Sequence, residues 1–199
     1  MKLSKIVYAI ALTGVFSSPA FALTNVALGA NVVTTGSGFN QSGGWCCGNF
    51  QPSSIVNGTP QTDGTQWNSG TAFWMGSGSG DTTDTITVNL THTSVVGSVV
   101  LQADDNDTYN IAYWGGSSWV HLATVGTYGS WGLATRPQIN FASITTNAFQ
   151  ITGNSGDGYY SVGQFEAIGA PVPEPAESAL MLSGIGLLGF IATRRKKSA

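Results

Sequence analysis

The chain is poor in charge, and in positive charge above all. Only 9% of its 199 residues are charged, with seven Lys or Arg against ten Asp or Glu. The bases stand almost entirely at the two ends. Between Leu23 and Ala170 there are eight acids (Asp63, Asp81, Asp84, Asp104, Asp105, Asp107, Asp157 and Glu166) and one base, Arg136, a net charge of −7. Nucleic acid is thereby excluded as a partner, because neutralising phosphates takes clustered Lys and Arg. Histidine and cysteine are scarce too, two of each. His92 and His121 are the only imidazoles, and there is no His-Glu-x-x-His, Gly-x-Ser-x-Gly or Walker loop, so no catalytic residue is assigned. Gly76-Ser77-Gly78-Ser79-Gly80 lacks the lysine of a phosphate loop and has Asp81 and Asp84 beside it, which makes it a flexible Gly/Ser loop. A pair of carboxylates working on a glycosidic bond is the one enzymatic route left open.

The two cysteines, Cys46 and Cys47, are adjacent in Trp45-Cys46-Cys47-Gly48. An oxidising compartment favours a disulfide, yet neighbouring α-carbons lie about 3.8 Å apart, below the usual disulfide span of about 4.4–6.8 Å. A bridge between them would be strained and would stiffen the loop beside Trp45; reduced or intermolecular thiols are the alternative. Zinc wants more ligands at wider spacing.

What is present divides the chain into three parts. Residues 1–22 read as a signal peptide, with Lys2 and Lys5 ahead of the apolar run Ile6 to Phe16 and the small-x-small triplet Ala20-Phe21-Ala22 before the cut. Residues 171–199 hold Val172-Pro173-Glu174-Pro175, an uncharged run, and Arg194-Arg195-Lys196-Lys197. From Ala179 to Ala192 that run is apolar on every side apart from Ser183 and glycines, so it reads as a membrane helix, short against the usual span of about 20 residues, with the bases stopping it at the cytoplasmic face.

The middle part, 23–170, has the length of one domain and is rich in β-branched and aromatic residues. Thr85 to Leu90 alternates, with Ile86, Val88 and Leu90 on one face; Val95 to Ala103 is a valine-rich run; Tyr109, Ile111 and Tyr113 alternate again. With Asn25 to Val33, Trp119 to Thr124, Gln138 to Phe141, Ala148 to Thr152 and Ser161 to Ile168, about eight strands are predicted and no helical period intervenes. The fold class is all-β, an antiparallel sandwich or barrel. Asp104-Asp105-Asn106-Asp107 falls between two strands as a turn.

The tail resembles the PEP-CTERM sorting signal of Gram-negative bacteria, through Pro173-Glu174-Pro175, the short hydrophobic helix and the basic end at Arg194 and Arg195. That resemblance implies processing by an exosortase, transient residence in the inner membrane, and delivery to the envelope, cell surface or extracellular matrix, commonly in bacteria that make exopolysaccharide. Such tails have also been labelled as the C-terminal segment of ice-binding proteins. The Thr-x-Thr pairs here, Thr85/Thr87 and Thr91/Thr93, do not recur at a fixed period, so they read as outward threonines on ordinary strands.

The core resembles the discoidin-type (coagulation factor 5/8 C-domain, galactose-binding-like) jelly rolls. Asn25-Val26-Ala27-Leu28-Gly29-Ala30 is similar to their opening strand, Ile55-Val56-Asn57-Gly58 with Thr65-Gln66-Trp67 to their Asp-Gly…Thr-x-Trp element, and Ile86-Thr87-Val88-Asn89-Leu90 to their x-Val-Asp-Leu strand. Tyr109 to Val120 matches the hairpin closed by Trp119, and Gln164-Phe165-Glu166-Ala167 the last strand. The chain departs from the pattern where Asn57 replaces an aspartate and where Asn147-Ala148-Phe149-Gln150-Ile151 lacks both arginines of Ala-Arg-Tyr-Val-Arg. The resemblance implies a jelly-roll β-sandwich, a non-enzymatic glycan-binding role, and a structural calcium on Asn57, Asp63, Thr65 and Glu166, whose oxygens are of the kind calcium takes. Trp67 and Trp119 match packing tryptophans and are assigned to the core. Trp45, Trp74, Trp114, Trp131, Tyr159 and Tyr160 lie in or beside Gly-rich loops and form the candidate sugar-stacking set. Rings gathered at one concave end would favour sugar; one broad apolar patch would favour a structural matrix protein making protein contacts.

Overall fold

The computed structural model of the protein describes residues 22–39, 49–76, 83–173 and 180–187. The signal peptide up to Phe21, Trp45, Cys46, Cys47, Glu174, Pro175, Arg194 and Arg195 lie outside the described residues.

Among the described residues ten strands run in the order β1 (Thr24–Asn25), β2 (Asn31–Thr35), β3 (Asn49–Phe50), β4 (Ser69–Met75), β5 (Thr85–Asp104), β6 (Thr108–Trp114), β7 (Trp119–Val125), β8 (Leu133–Thr135), β9 (Ile139–Ser155) and β10 (Tyr159–Pro171). Among the described residues a 3-10 turn, Pro52–Val56, interrupts them; proline stands in its first turn, where a missing N–H costs nothing, and the turn buries Ile55 and Val56.

Hydrogen bonding follows β3-β4-β10-β5-β9-β6-β7, with β1 on β10 and both β2 and β8 on β5. All pairs but β3–β4 are antiparallel. The path folds back on itself as a sandwich, since β4 and β6 stand far apart along it while Trp74 of β4 and Tyr109 of β6 lie with ring centroids 6.1 Å apart. β5 and β9 serve both layers. The start of β5 pairs with β2 and with the end of β9, while Ser94 to Ala103 pairs with β10. The β5–β9 ladder skips between Asn89 and Ser94, where Thr91, His92 and Thr93 are exposed and the strand passes from one layer to the other.

The core follows from alternation. Ile86, Val88 and Leu90 face inward; a register shift between Val96 and Ser98 then re-aims the strand so that Val99, Leu101 and Ala103 are buried. Trp74 and Tyr160 stack at 5.2 Å, Tyr109 meets Tyr160 edge-on at 5.8 Å, and Phe149 packs on Phe165 at 5.3 Å. Tyr109 Oη donates to the Ser161 carbonyl and accepts from the Ser161 N–H, both at 3.0 Å, so this buried phenol also ties the layers together.

The jelly-roll sandwich expected from sequence is the observed fold, with two differences. Thr85–Leu90 and Val95–Ala103 are one strand, as are the two segments predicted within Gln138 to Thr152, because their polar middles stay extended where they cross between layers. β4 escaped the pattern because Thr71, Ala72, Phe73 and Trp74 are all buried and no alternation shows. In the tail, residues 180–187 are helical and exposed. Among the described residues no helix is long and apolar enough to cross a membrane; of the expected membrane helix Ala179 to Ala192 only residues 180–187 are described, and the rest lies outside them. Val172 is still tied to the sandwich, its N–H donating to the Thr93 carbonyl at 2.8 Å.

Candidate functional site

The turn after β5, the hairpin joining β9 to β10, and the loops before β4 and before β8 meet at one end of the sandwich. They enclose a cleft of about 600 Å³ lined by Gln66, Trp67, Asp104, Asp105, Asn106, Trp131, Gly132, Asp157 and Tyr159. Its aromatic wall is built from within. Ser161 Oγ and Thr71 Oγ1 both donate to the Trp67 carbonyl, fixing the backbone, and the Trp67 ring lies edge-on to Phe73 at 5.5 Å and beside Tyr159 at 5.9 Å. Trp131, 61% exposed, stands on the opposite loop. That loop is anchored next door, where Gly64 N–H donates to the Leu133 carbonyl at 2.7 Å and Leu133 N–H to the Thr65 carbonyl at 2.9 Å. The approach requires Gly132, which has φ +68° and would place a β-carbon 2.5 Å from the Thr65 carbonyl oxygen.

The polar wall carries three carboxylates. Asp157 accepts the Tyr159 N–H on Oδ1 at 2.9 Å and the Asn106 side chain on Oδ2 at 3.0 Å. Asp104, only 5% exposed, ends β5, and Asp105 opens the turn. Burial pushes the Asp104 carboxyl up to about 6, with repulsion from Asp105 and Asp157 adding and Arg136 opposing. Behind the wall Asp107 is fully buried and is pushed up to about 7, first by burial and then by Asp157 and Asp104; its Oδ1 accepts the Asp157 N–H at 3.2 Å, while its Oδ2 has no partner. Arg136 does not neutralise this group by pairing. Its donors go to the carbonyls of Gly126, Ala103, Ala134, Asp104 and Asp107, and its guanidinium lies 5.5 Å over the Tyr109 ring. The arginine is a brace for the turns beneath the cleft.

The candidate sugar-stacking set separates. Trp131 and Tyr159 line the cleft. Trp74 and Tyr160 are fully buried and belong to the core, a correction with a simple cause: along β10 successive side chains face opposite ways, so Tyr159 turns to the cleft and Tyr160 to the interior. Trp114 packs edge-on to Trp119 at 5.4 Å across the β6–β7 hairpin, apart from the cleft. The two tryptophans expected in the core are both displaced outward: Trp67 lines the cleft and Trp119 is 36% exposed. Sequence reasoning also missed Asp104, Asp105 and Asp157 as site residues, treating the first two as turn residues. The available signal was Asp157-Gly158-Tyr159, an acid and a ring in one turn.

The expected calcium ligands do not fit as a set. Asn57 Oδ1 accepts the Thr59 N–H at 2.7 Å, Thr65 Oγ1 donates to the Thr62 carbonyl at 2.6 Å, and Asp63 Oδ1 accepts from Gln102 Nε2, Thr135 N–H and Thr135 Oγ1. Burial would raise the Asp63 carboxyl, but the bonds from Thr135 and Gln102 together hold it below its ordinary value. Glu166 is on β10 opposite Val100, half-buried. The oxygens that do converge (the Gln61 carbonyl, Asp63 Oδ1 and Thr135 Oγ1, at 2.7–3.0 Å) converge on the buried amide nitrogen of Gln102, whose Oε1 accepts the Gln61 N–H at 2.9 Å. Among the described residues no three His, Cys, Asp or Glu side chains are grouped to hold a metal ion.

Among curated proteins none is similar to this chain in sequence. Its residues 171–196 match the PEP-CTERM protein-sorting motif, which implies export and surface sorting. Among solved structures, a fucolectin from striped bass (Morone saxatilis) serum is 11% identical with a TM-score of 0.57, over 78% of this chain and 52% of the lectin chain. A CBM32-1 module of a family 31 glycoside hydrolase from Clostridium perfringens is 13% identical with a TM-score of 0.50, over 71% of this chain and 96% of the module. A chitosan-binding module of a chitosanase/glucanase from Paenibacillus sp. IK-5 is 24% identical with a TM-score of 0.48, over 72% and 98%. At these identities the likeness establishes the fold. The chain joins a jelly-roll core, of the fold that these solved modules share, to a C-terminal PEP-CTERM protein-sorting motif.

Proposed function

We propose that this is an exported, surface-sorted glycan-binding protein without catalytic activity, whose ligand lies in the cleft between Trp67, Trp131 and Tyr159. One observation carries the reading: the exposed ring of Trp131 and the paired rings of Trp67 and Tyr159 line a single concavity at the loop end of the sandwich. Sugar rings offer apolar C–H faces that stack on aromatic faces, and their hydroxyls need a polar rim such as Gln66, Asn106 and the carboxylates provide. The sorting motif adds the address. An exosortase of a Gram-negative bacterium removes the tail at the inner membrane, and the matrix exopolysaccharide made by the same cell is the ligand the module meets. Of the structural neighbours that share the jelly roll, one is a fucolectin and one the CBM32-1 module of a glycoside hydrolase, which supports the reading.

The test is co-sedimentation of the full-length chain, in a detergent without a sugar headgroup, with the producing organism's exopolysaccharide. Saturable binding that is lost in Trp131→Ala is expected. No binding by the wild-type chain would overturn the reading and leave a structural matrix protein, for which the exposed Trp119 and Val120 on the β6–β7 hairpin are the contact surface to examine.

A further inference from the structure

Charge in the cleft narrows the ligand further. Asp104, Asp105 and Asp157 line it together, and Arg136, the only Lys or Arg among the described residues, gives its donors to backbone carbonyls. Asp104 is nearly buried and keeps a raised affinity for a proton, as Asp107 does behind it. A site that gathers several like charges against one arginine, whose donors are spent on backbone carbonyls, is costly in the free protein, and a cation brought by the ligand relieves that cost. Among the described residues no three His, Cys, Asp or Glu side chains are grouped as they are around a metal ion. The acids are spread along a wall instead, facing aromatic rings. Those rings suit the same ligand, since the face of Trp or Tyr attracts an ammonium group as well as an apolar sugar face.

We infer that the cleft selects a cationic glycan, one carrying free, protonated amino groups on its sugar rings, with Asp104, Asp105 and Asp157 facing the ammonium groups and Trp67, Trp131 and Tyr159 stacking on the ring faces. This rests on the glycan reading above and adds the charge class to it. Acetylating the nitrogens removes both the charge and two of the donors, so an N-acetylated oligomer of the same length and linkage is a poor ligand. The charged groups facing Asp104 are Asp105, Asp157, Asp107 and Arg136, so its ionisation is set by the site itself. Binding is strongest where the carboxylates have ionised and the sugar amines remain protonated, in mildly acidic to neutral solution, and fades on either side.

The experiment is calorimetric titration of the full-length chain, in a detergent without a sugar headgroup, with three tetrasaccharides of β-1,4-linked glucosamine, N-acetylglucosamine and glucose, and with spermine. Expected is binding of the glucosamine tetramer at least about tenfold tighter than either neutral one, weakened about tenfold or more between 20 and 500 mM salt, as exposed ionic contacts are. Asp104→Asn/Asp157→Asn removes that preference while Trp131→Ala weakens every sugar. If the neutral tetramers bind as well as glucosamine and the double variant changes nothing, the cationic inference falls and the glycan reading stands. If spermine binds and no sugar does, the cleft recognises charge alone and both fall. A double variant that no longer melts cooperatively is replaced by Asp105→Asn, at the half-exposed position, with the same expected direction.

Discussion

The ring of Tyr159 lies 5.9 Å from that of Trp67 in the wall of the cleft, while its neighbour Tyr160 stacks 5.2 Å from Trp74 in the core. Two adjacent tyrosines therefore answer to different measurements. Tyr159→Ala is expected to weaken ligand binding by about tenfold or more and to leave thermal stability nearly unchanged. Tyr160→Ala is expected to cost about 3–5 kcal/mol in a denaturant titration, the usual toll for emptying an aromatic site in a packed interior. Equal loss of stability in both would show that the cleft wall is structural.

Acid should stabilise this sandwich over part of the pH range. The carboxyls of Asp104 and Asp107 have folded-state values of about 6 and about 7 against an ordinary value of 3.8. A raised carboxyl stabilises the fold fully below its unfolded value and loses that contribution as pH climbs through the folded value. The melting temperature is thus expected to rise as pH falls from 8 to 5. Asp107→Asn keeps an oxygen for the Asp157 N–H, removes the buried charge, and is expected to stabilise the protein at pH 8 by roughly 1–3 kcal/mol while flattening the melting profile. A profile unchanged by that substitution would place the pH sensitivity elsewhere.

EDTA is expected to leave both the melting temperature and glycan binding unchanged, because the Gln102 amide already fills the point where the oxygens of Gln61, Asp63 and Thr135 meet. Gln102→Ala removes the buried amide that ties these three half-buried or exposed acceptors together and is expected to cost about 1–3 kcal/mol. A stabilising response to calcium in the wild-type chain would refute the amide's role.

Gly132→Ala puts a methyl group against the Thr65 carbonyl at a positive φ. Destabilisation of about 1–3 kcal/mol is expected, together with weakened glycan binding, since the same residue sets the position of Trp131. Intact binding would mean that the loop relaxes without moving the tryptophan.

The address at the tail and the class of the fold were legible in the sequence because both are written locally, in Pro173-Glu174-Pro175 and in alternations such as Ile86, Val88, Leu90. The cleft was not. Asp104 and Asp105 read as ordinary turn residues because their neighbour Asp157 comes from a distant hairpin, and only the pairing of β10 with β5 brings the two turns together. Trp67 and Trp74 went opposite ways, since Trp67 lies in the turn before β4 and reaches the cleft while Trp74 lies within β4, where both faces are covered. The resemblance to discoidin-type jelly rolls singled out Asp63, and its carboxylate accepts the Gln102 amide from β5, a partner that lies 39 residues away and that no local pattern announces.

β10 begins at the cleft with Tyr159 and ends at Pro171, where the tail departs, and beside that end Thr24 of β1 pairs with Gly169. Thirteen residues of extended chain span about 40 Å. Both chain ends of the sandwich thus leave by one pole and the binding cleft opens at the other. The same strand thus serves as wall of the cleft at one end and as the point of departure of the sorting tail at the other, so whatever is attached through the tail lies a strand's length from whatever the cleft receives.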